Sequence, residues 1–162
     1  MANQGVHQFT MRTIDGKDKP LSDYKGKVLL IVNVASFCGN TPQYKELQEL
    51  HVTYKERGLA VLGFPANEFA KEEPGTDAEI KAFCQKNYKV TFDMFSKIVA
   101  KGEGIHPLYK YLTVNSPYPG AIGWNFAKFL VDKNGTVVDR FSPESDPKDP
   151  AIVKKLEAQL KK

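Results

Sequence analysis

Val28-Leu29-Leu30-Ile31-Val32-Asn33-Val34-Ala35-Ser36-Phe37-Cys38-Gly39-Asn40-Thr41-Pro42 is the stretch from which the rest of the chain can be read. Its first five residues form an apolar run, rich in β-branched side chains and without a period. That pattern suits a strand buried on both faces. From Pro42 to Arg57 the pattern changes: Tyr44, Leu47, Leu50, His51 and Tyr54 recur at three- and four-residue steps. This is the spacing of an amphipathic helix. Thr41 before Pro42 predicts a helix start, with a hydroxyl at the N-cap and then a residue that needs no N–H partner. Cys38 therefore falls in the turn between a buried strand and a helix N-terminus. Free backbone N–H groups and the positive end of the helix dipole favour a thiolate there, and the thiolate is the nucleophilic form. A plainer reading stands beside it, in which Cys38 is a small buried filler.

A length of 162 residues points to one domain covering 1–162, large enough for a core of its own. A hydrophobic fraction of 41% against 26% charged residues fits a globular protein and excludes a disordered chain. No run approaches the ~20 apolar residues of a membrane span, so no stable membrane insertion is expected. Met1 to His7 has no apolar core behind a basic head, which predicts no signal peptide and a cytoplasmic protein. Two cysteines in that setting argue for catalysis or redox work over a structural framework. The net charge of +4 is spread along the chain among interleaved acids, which argues against nucleic acid as a partner.

Beyond the opening stretch, Val6 to Thr13 reads as a short strand before a turn at Asp15-Gly16. Gly58 is placed to end the first helix, and Leu59 to Phe64 is a second apolar strand. Strand, helix and strand in that order predict a right-handed parallel crossover. Asp77 to Asn87 reads as a helix with Ile80, Phe83, Cys84 and Asn87 on one side. A short extended piece is expected within Val90 to Ile98, and a short helix over Pro107 to Val114. Phe126–Val131 and Thr136–Phe141 flank a hairpin signal at Asp132-Lys133-Asn134-Gly135, and Ala151 to Leu160 is a closing helix. The result is an α/β domain, a central mixed sheet with helices on both faces. Periodicity alone names no reaction.

Four motifs go further. Asn33-Val34-Ala35-Ser36-x-Cys38-Gly39-x-Thr41, Phe64-Pro65-x-Asn67-x-Phe69, Glu73-Pro74-Gly75 and Gly123-Trp124-Asn125-Phe126-x-Lys128-Phe129-Leu130-Val131 together resemble the glutathione peroxidase family. The resemblance runs from about Phe9 to the last helix. It implies a thioredoxin-like fold and the reduction of hydrogen peroxide and organic or lipid hydroperoxides. It makes Cys38 the peroxidatic position, with Trp124 and Asn125 the indole and amide around its sulfur. It implies no cofactor and no metal; the scattered His7, His51 and His106 show no ligand spacing. The short stretch from Leu112 to Trp124 resembles monomeric or dimeric members.

Two departures from the family pattern stand out. Ala66 occupies a position often held by Cys. Glu68 stands where the pattern is read to have a catalytic Gln, and an ionised Glu offers no N–H donor. A carboxylate ~4 Å from a thiolate would cost ~4 kcal/mol at an effective dielectric of ~20. Glu68 is thus expected either to burden the site or to be a solvated loop acid. Cys84, in Phe83-Cys84-Gln85-x-x-Tyr88, matches the resolving cysteine of the thioredoxin-dependent branch. By periodicity alone it is equally a buried helix-face residue. The resemblance implies a Cys38–Cys84 disulfide reopened by thioredoxin or a similar dithiol protein. A peroxide sensor that relays oxidation to a client protein would use the same cysteines.

Overall fold

A computed structural model describes residues 5–162. Met1–Gln4, part of the segment read as lacking a signal peptide, lie outside the described residues. Thr10–Arg12 (β1) and Asp18–Pro20 (β2) form a small antiparallel hairpin. The main sheet contains Val28–Val34 (β3), Leu59–Pro65 (β4), Asp93–Met94 (β5), Lys128–Val131 (β6) and Val137–Phe141 (β7), in the order β5-β4-β3-β6-β7. The helices are Gln43–Tyr54 (α1), Asp77–Tyr88 (α2), the short Pro107–Lys110 (α3) and Pro150–Leu160 (α4).

β3 runs parallel to β4 along its full length, and β4 parallel to β5. α1 provides the crossover from β3 to β4; it ends at Tyr54 and runs into a 3-10 turn, Lys55–Arg57, and it is this turn that Gly58 closes with φ at 103°, a conformation that glycine adopts without steric cost. β6 enters on the other side of β3 and runs antiparallel, as does β7 beside it. This is the mixed sheet of the thioredoxin-like fold. All seven residues of β3 and of β4 are buried, which explains why both are apolar but for Asn33 near the end of β3. Leu29 and Ile31 pack on one face with Leu108, Tyr109 and Leu112. Val28, Leu30, Val32 and Val34 pack on the other with Tyr44, Leu47, Ile80, Cys84 and Leu156. The period-two alternation of side chains thus supplies both cores from one strand.

Three local expectations are corrected. Val6–Thr13 is not one strand: Gly5–Gln8 is a 3-10 turn that buries Val6 and His7, and only Thr10–Arg12 is extended. Thr41 is not the N-cap of α1. That place falls to Pro42, which makes no side-chain cap bond, and the Thr41 hydroxyl turns back into the cysteine loop. Pro107–Val114 is helical but widens into a π-turn over Tyr111–Asn115.

Candidate active site

Cys38 leaves the C-terminal end of β3 in a tight turn, half-exposed and not disulfide-bonded. Thr41 shapes that turn. Its hydroxyl accepts the Cys38 N–H at 2.8 Å and donates to the Ala35 carbonyl at 2.9 Å, while the Thr41 N–H bonds the Cys38 carbonyl at 3.0 Å. The Asn40 N–H then points at the Cys38 Sγ, 3.2 Å away. A backbone donor fixed on the sulfur stabilises negative charge there. Phe37, beside the cysteine, is 64% exposed, and its ring lies tilted against Phe83 of α2, centroids 6.0 Å apart.

The Trp124–Asn125 turn meets this loop from the start of β6. Asn40 Nδ2 donates to the Asn125 carbonyl at 3.3 Å, which joins the residue that contacts the sulfur to the expected amide. Asn125 is fully buried; its Nδ2 donates to Glu72 Oε1 at 3.1 Å and its Oδ1 has no partner. Trp124 is 37% exposed and lies edge-on to Phe69 at 6.3 Å. Cys38, Trp124 and Asn125 are thus carried by two loops that hydrogen-bond to each other.

Glu68 does not face this site. It is exposed, and its Oε1 accepts the Ala100 N–H at 2.6 Å, so it serves as a loop anchor. The carboxylate at the site is Glu72. Ala70 and Lys71 both take left-handed φ, at 59° and 57°, and reverse the chain between the two acids. Each such residue without a glycine costs roughly 1–2 kcal/mol. The Glu72 carbonyl also accepts the Phe37 N–H at 3.0 Å, which docks this loop on the cysteine turn. Its place directly before Glu73-Pro74-Gly75 was the available sequence signal for it.

Glu73 is the second acid that sequence reasoning gave no role. It is fully buried. Its Oε1 accepts the Ser36 N–H at 3.0 Å, its own N–H donates to Asn67 Oδ1 at 2.9 Å, and Lys97 Nζ donates to its carbonyl at 2.9 Å. Burial pushes its carboxyl up to about 7, with the Ser36 bonds and Lys97 pulling the other way.

Cys84 sits inside α2, 1% exposed, among Ile80, Tyr44 and Val90. Burial pushes its thiol up to about 11; the Tyr44 hydroxyl opposes the shift and the Glu73 charge adds to it. The Tyr44 hydroxyl lies against this thiol without a hydrogen bond of full geometry. A thiol so placed is held protonated and inert. Both cysteines are free thiols, one at the surface turn and the other in the core beneath α2. Among the described residues no group of three or more His, Cys, Asp and Glu is placed to hold a metal ion.

The glutathione peroxidase family profile matches residues 6–113. The glutathione peroxidase homolog BsaA of Halalkalibacterium halodurans is 52% identical over 144 residues, covering 88% of this chain and 92% of that protein. The thioredoxin/glutathione peroxidase BtuE of Escherichia coli is 44% identical over 174 residues, covering 94% of this chain and 95% of that protein. Among solved structures, T. cruzi GPX1 superposes with a TM-score of 0.77 at 37% identity, covering 97% of each chain.

Proposed function

The chain belongs to the glutathione peroxidase family and is a thiol-based hydroperoxide reductase, and we propose that its cycle passes through a Cys38–Cys84 disulfide to a thioredoxin-type dithiol. The observation that carries the first half is the Asn40 N–H on the Cys38 sulfur, with Asn125 hydrogen-bonded to the same Asn40. The Cys38 thiolate attacks one oxygen of the hydroperoxide. The O–O bond breaks, Cys38 becomes a sulfenic acid, and the second oxygen leaves with a proton as water or an alcohol. Indole and amide donors at Trp124 and Asn125 are suited to the charge that develops on the leaving oxygen.

The second half rests on Cys84. Its sulfur attacks the Cys38 sulfenic acid, its proton leaves with the hydroxyl as water, and a disulfide forms. A dithiol protein restores both thiols by two exchange steps through a mixed disulfide. The Escherichia coli relative's name pairs thioredoxin with glutathione, which supports thioredoxin as the donor here. A disulfide needs Cα atoms within about 7 Å, and Cys84 is sealed in the core, so α2 opens before the bond forms. A cycle driven by dithiols needs a reducing compartment, which supports a cytoplasmic location as part of this reading. No helix among the described residues is long and apolar enough to cross a membrane.

Peroxide consumption with thioredoxin and with glutathione, run in parallel, tests this cycle. Thioredoxin should support turnover and glutathione should be poor. Cys38→Ser should abolish turnover, and Cys84→Ser should permit one oxidation per molecule without thioredoxin-driven cycling. Equal rates with the two reductants, or activity retained in Cys38→Ser, would refute it.

A further inference from the structure

One buried residue grips the backbone on both sides of Asn125. Asn33 lies near the end of β3 with no exposed surface. Its Nδ2 donates to the Trp124 carbonyl at 3.1 Å, and its own carbonyl accepts the Phe126 N–H at 2.6 Å. Phe126 has φ at 72°, a left-handed conformation that an aromatic residue adopts only under constraint. Its ring is held edge-on by Tyr44 at 5.4 Å. The kink presents the Asn125 amide to Glu72 and the Asn125 carbonyl to Asn40, whose N–H meets the Cys38 sulfur.

Stability alone gives no reason for Asn at this position. Its neighbours Val32 and Val34 are buried and apolar, and its Oδ1 is buried without a partner. An unpaired buried acceptor is a penalty that an apolar residue of similar shape would avoid. What Asn33 supplies and an apolar residue does not is the N–H on the Trp124 carbonyl.

We propose that Asn33 is a positioning residue for peroxide reduction: it holds the Trp124–Asn125 peptide in the kink that sets the Asn125 carbonyl on Asn40, whose N–H meets the Cys38 sulfur, and the Asn125 amide on Glu72. This rests on the reading of Cys38 as the peroxidatic residue. Asn33 touches neither the sulfur nor the peroxide and acts through the turn it fixes. Attack on a peroxide depends on that turn, because charge develops on a leaving oxygen. Attack on an alkyl iodide depends on the thiolate but needs no donor for an oxygen.

The test compares wild type with Asn33→Leu, close in shape and apolar, and with Asn33→Ser, smaller and polar. Cys38 oxidation by hydrogen peroxide is followed in single turnover, beside Cys38 alkylation by iodoacetamide and thermal unfolding. The emission of Trp124, the single tryptophan, reports the turn directly. Oxidation in the variants should fall by about tenfold or more, within the range seen for lost donors to developing oxyanions, while alkylation changes by less than about threefold. Trp124 emission should shift in both variants. Equal loss of the two rates, or oxidation at the wild-type rate in either folded variant, would overturn the proposal. A wild-type chain inert to peroxide would sink the reading of Cys38 instead, so the two failures are told apart. Should Asn33→Leu fail to fold, Asn33→Ser decides by the same ratio of rates.

Discussion

Thr76→Ala should accelerate disulfide formation without changing the first oxidation. α2 begins with a capping box: the Thr76 hydroxyl accepts the Glu79 N–H at 3.2 Å, and Glu79 Oε1 accepts the Thr76 N–H at 3.0 Å. Ile80 and Cys84 are its two buried anchors, and Phe83 and Tyr88 pack partly buried beside them. One of those two anchors is the residue that must leave. The cap is one contact that keeps α2 closed, beside the hydrogen bonds that Asp77 accepts from Ser96 and Lys97. Replacing an N-cap threonine with alanine costs about 1 kcal/mol of helix stability. The open segment has no cap to lose, so the whole cost falls on the closed form. At RT of about 0.59 kcal/mol the opening equilibrium rises about fivefold. When opening precedes attack as a rapid equilibrium, the disulfide forms about fivefold faster by the same arithmetic. The assay mixes reduced protein with one equivalent of hydrogen peroxide, quenches with an alkylating agent at set times, and weighs the products. Hydrogen exchange over 77–88 measures the opening independently. Thr76→Asp keeps a capping oxygen and should return both to wild type. Faster exchange over 77–88 with an unchanged rate of disulfide formation would refute the reasoning, since opening would then lie off the path.

The two acids of the site loop should behave differently. Glu72→Gln removes a negative charge from beside the Asn125 amide, so Cys38 oxidation at neutral pH should speed up. Glu68→Gln should leave that rate unchanged and loosen the loop at Ala100, which hydrogen exchange of the Ala100 amide will show. Glu73 makes stability depend on pH: its carboxyl titrates at about 7 in the folded protein against 4.5 when unperturbed, so the folded state holds the proton longer. Stability should therefore be greatest below about pH 4.5 as far as this group is concerned, and fall by about 3 kcal/mol as pH rises to about 7 and above. Urea unfolding across that window should show the decline in wild type and its loss in Glu73→Gln; parallel slopes would exclude Glu73 as the source.

Much of this architecture is legible from composition along the chain. β3 and β4 announce themselves because a strand buried on both faces has no polar face to alternate with. α1 and α2 show their helical period because each lays one side on the sheet. The cap of α1 was misread because Thr41 has two competing uses for its hydroxyl, and closing the cysteine turn won. The confusion of Glu68 with Glu72 has a similar origin. Both acids stand in one loop, and sequence spacing does not say where the backbone reverses. The left-handed pair Ala70 and Lys71 decides it, and neither residue type signals such a conformation. Glu73 belongs to the Glu73-Pro74-Gly75 motif, yet its burial is a tertiary fact with no local signature.

Cys84 spends the resting state where oxidant cannot reach it. The chain thus keeps one reducing equivalent in reserve while exposing the other. The same arrangement sets a clock. In the proposed cycle, after the first peroxide has reacted, the Cys38 sulfenic acid waits for α2 to open, and a second peroxide can arrive during that wait. Sulfinic acid formation at Cys38 is irreversible for most proteins. The peroxide level at which the enzyme inactivates itself is therefore the level at which the second encounter becomes as frequent as helix opening. A firmer α2 would protect its buried thiol better and raise the toll of hyperoxidation on the exposed one; a looser α2 would do the reverse.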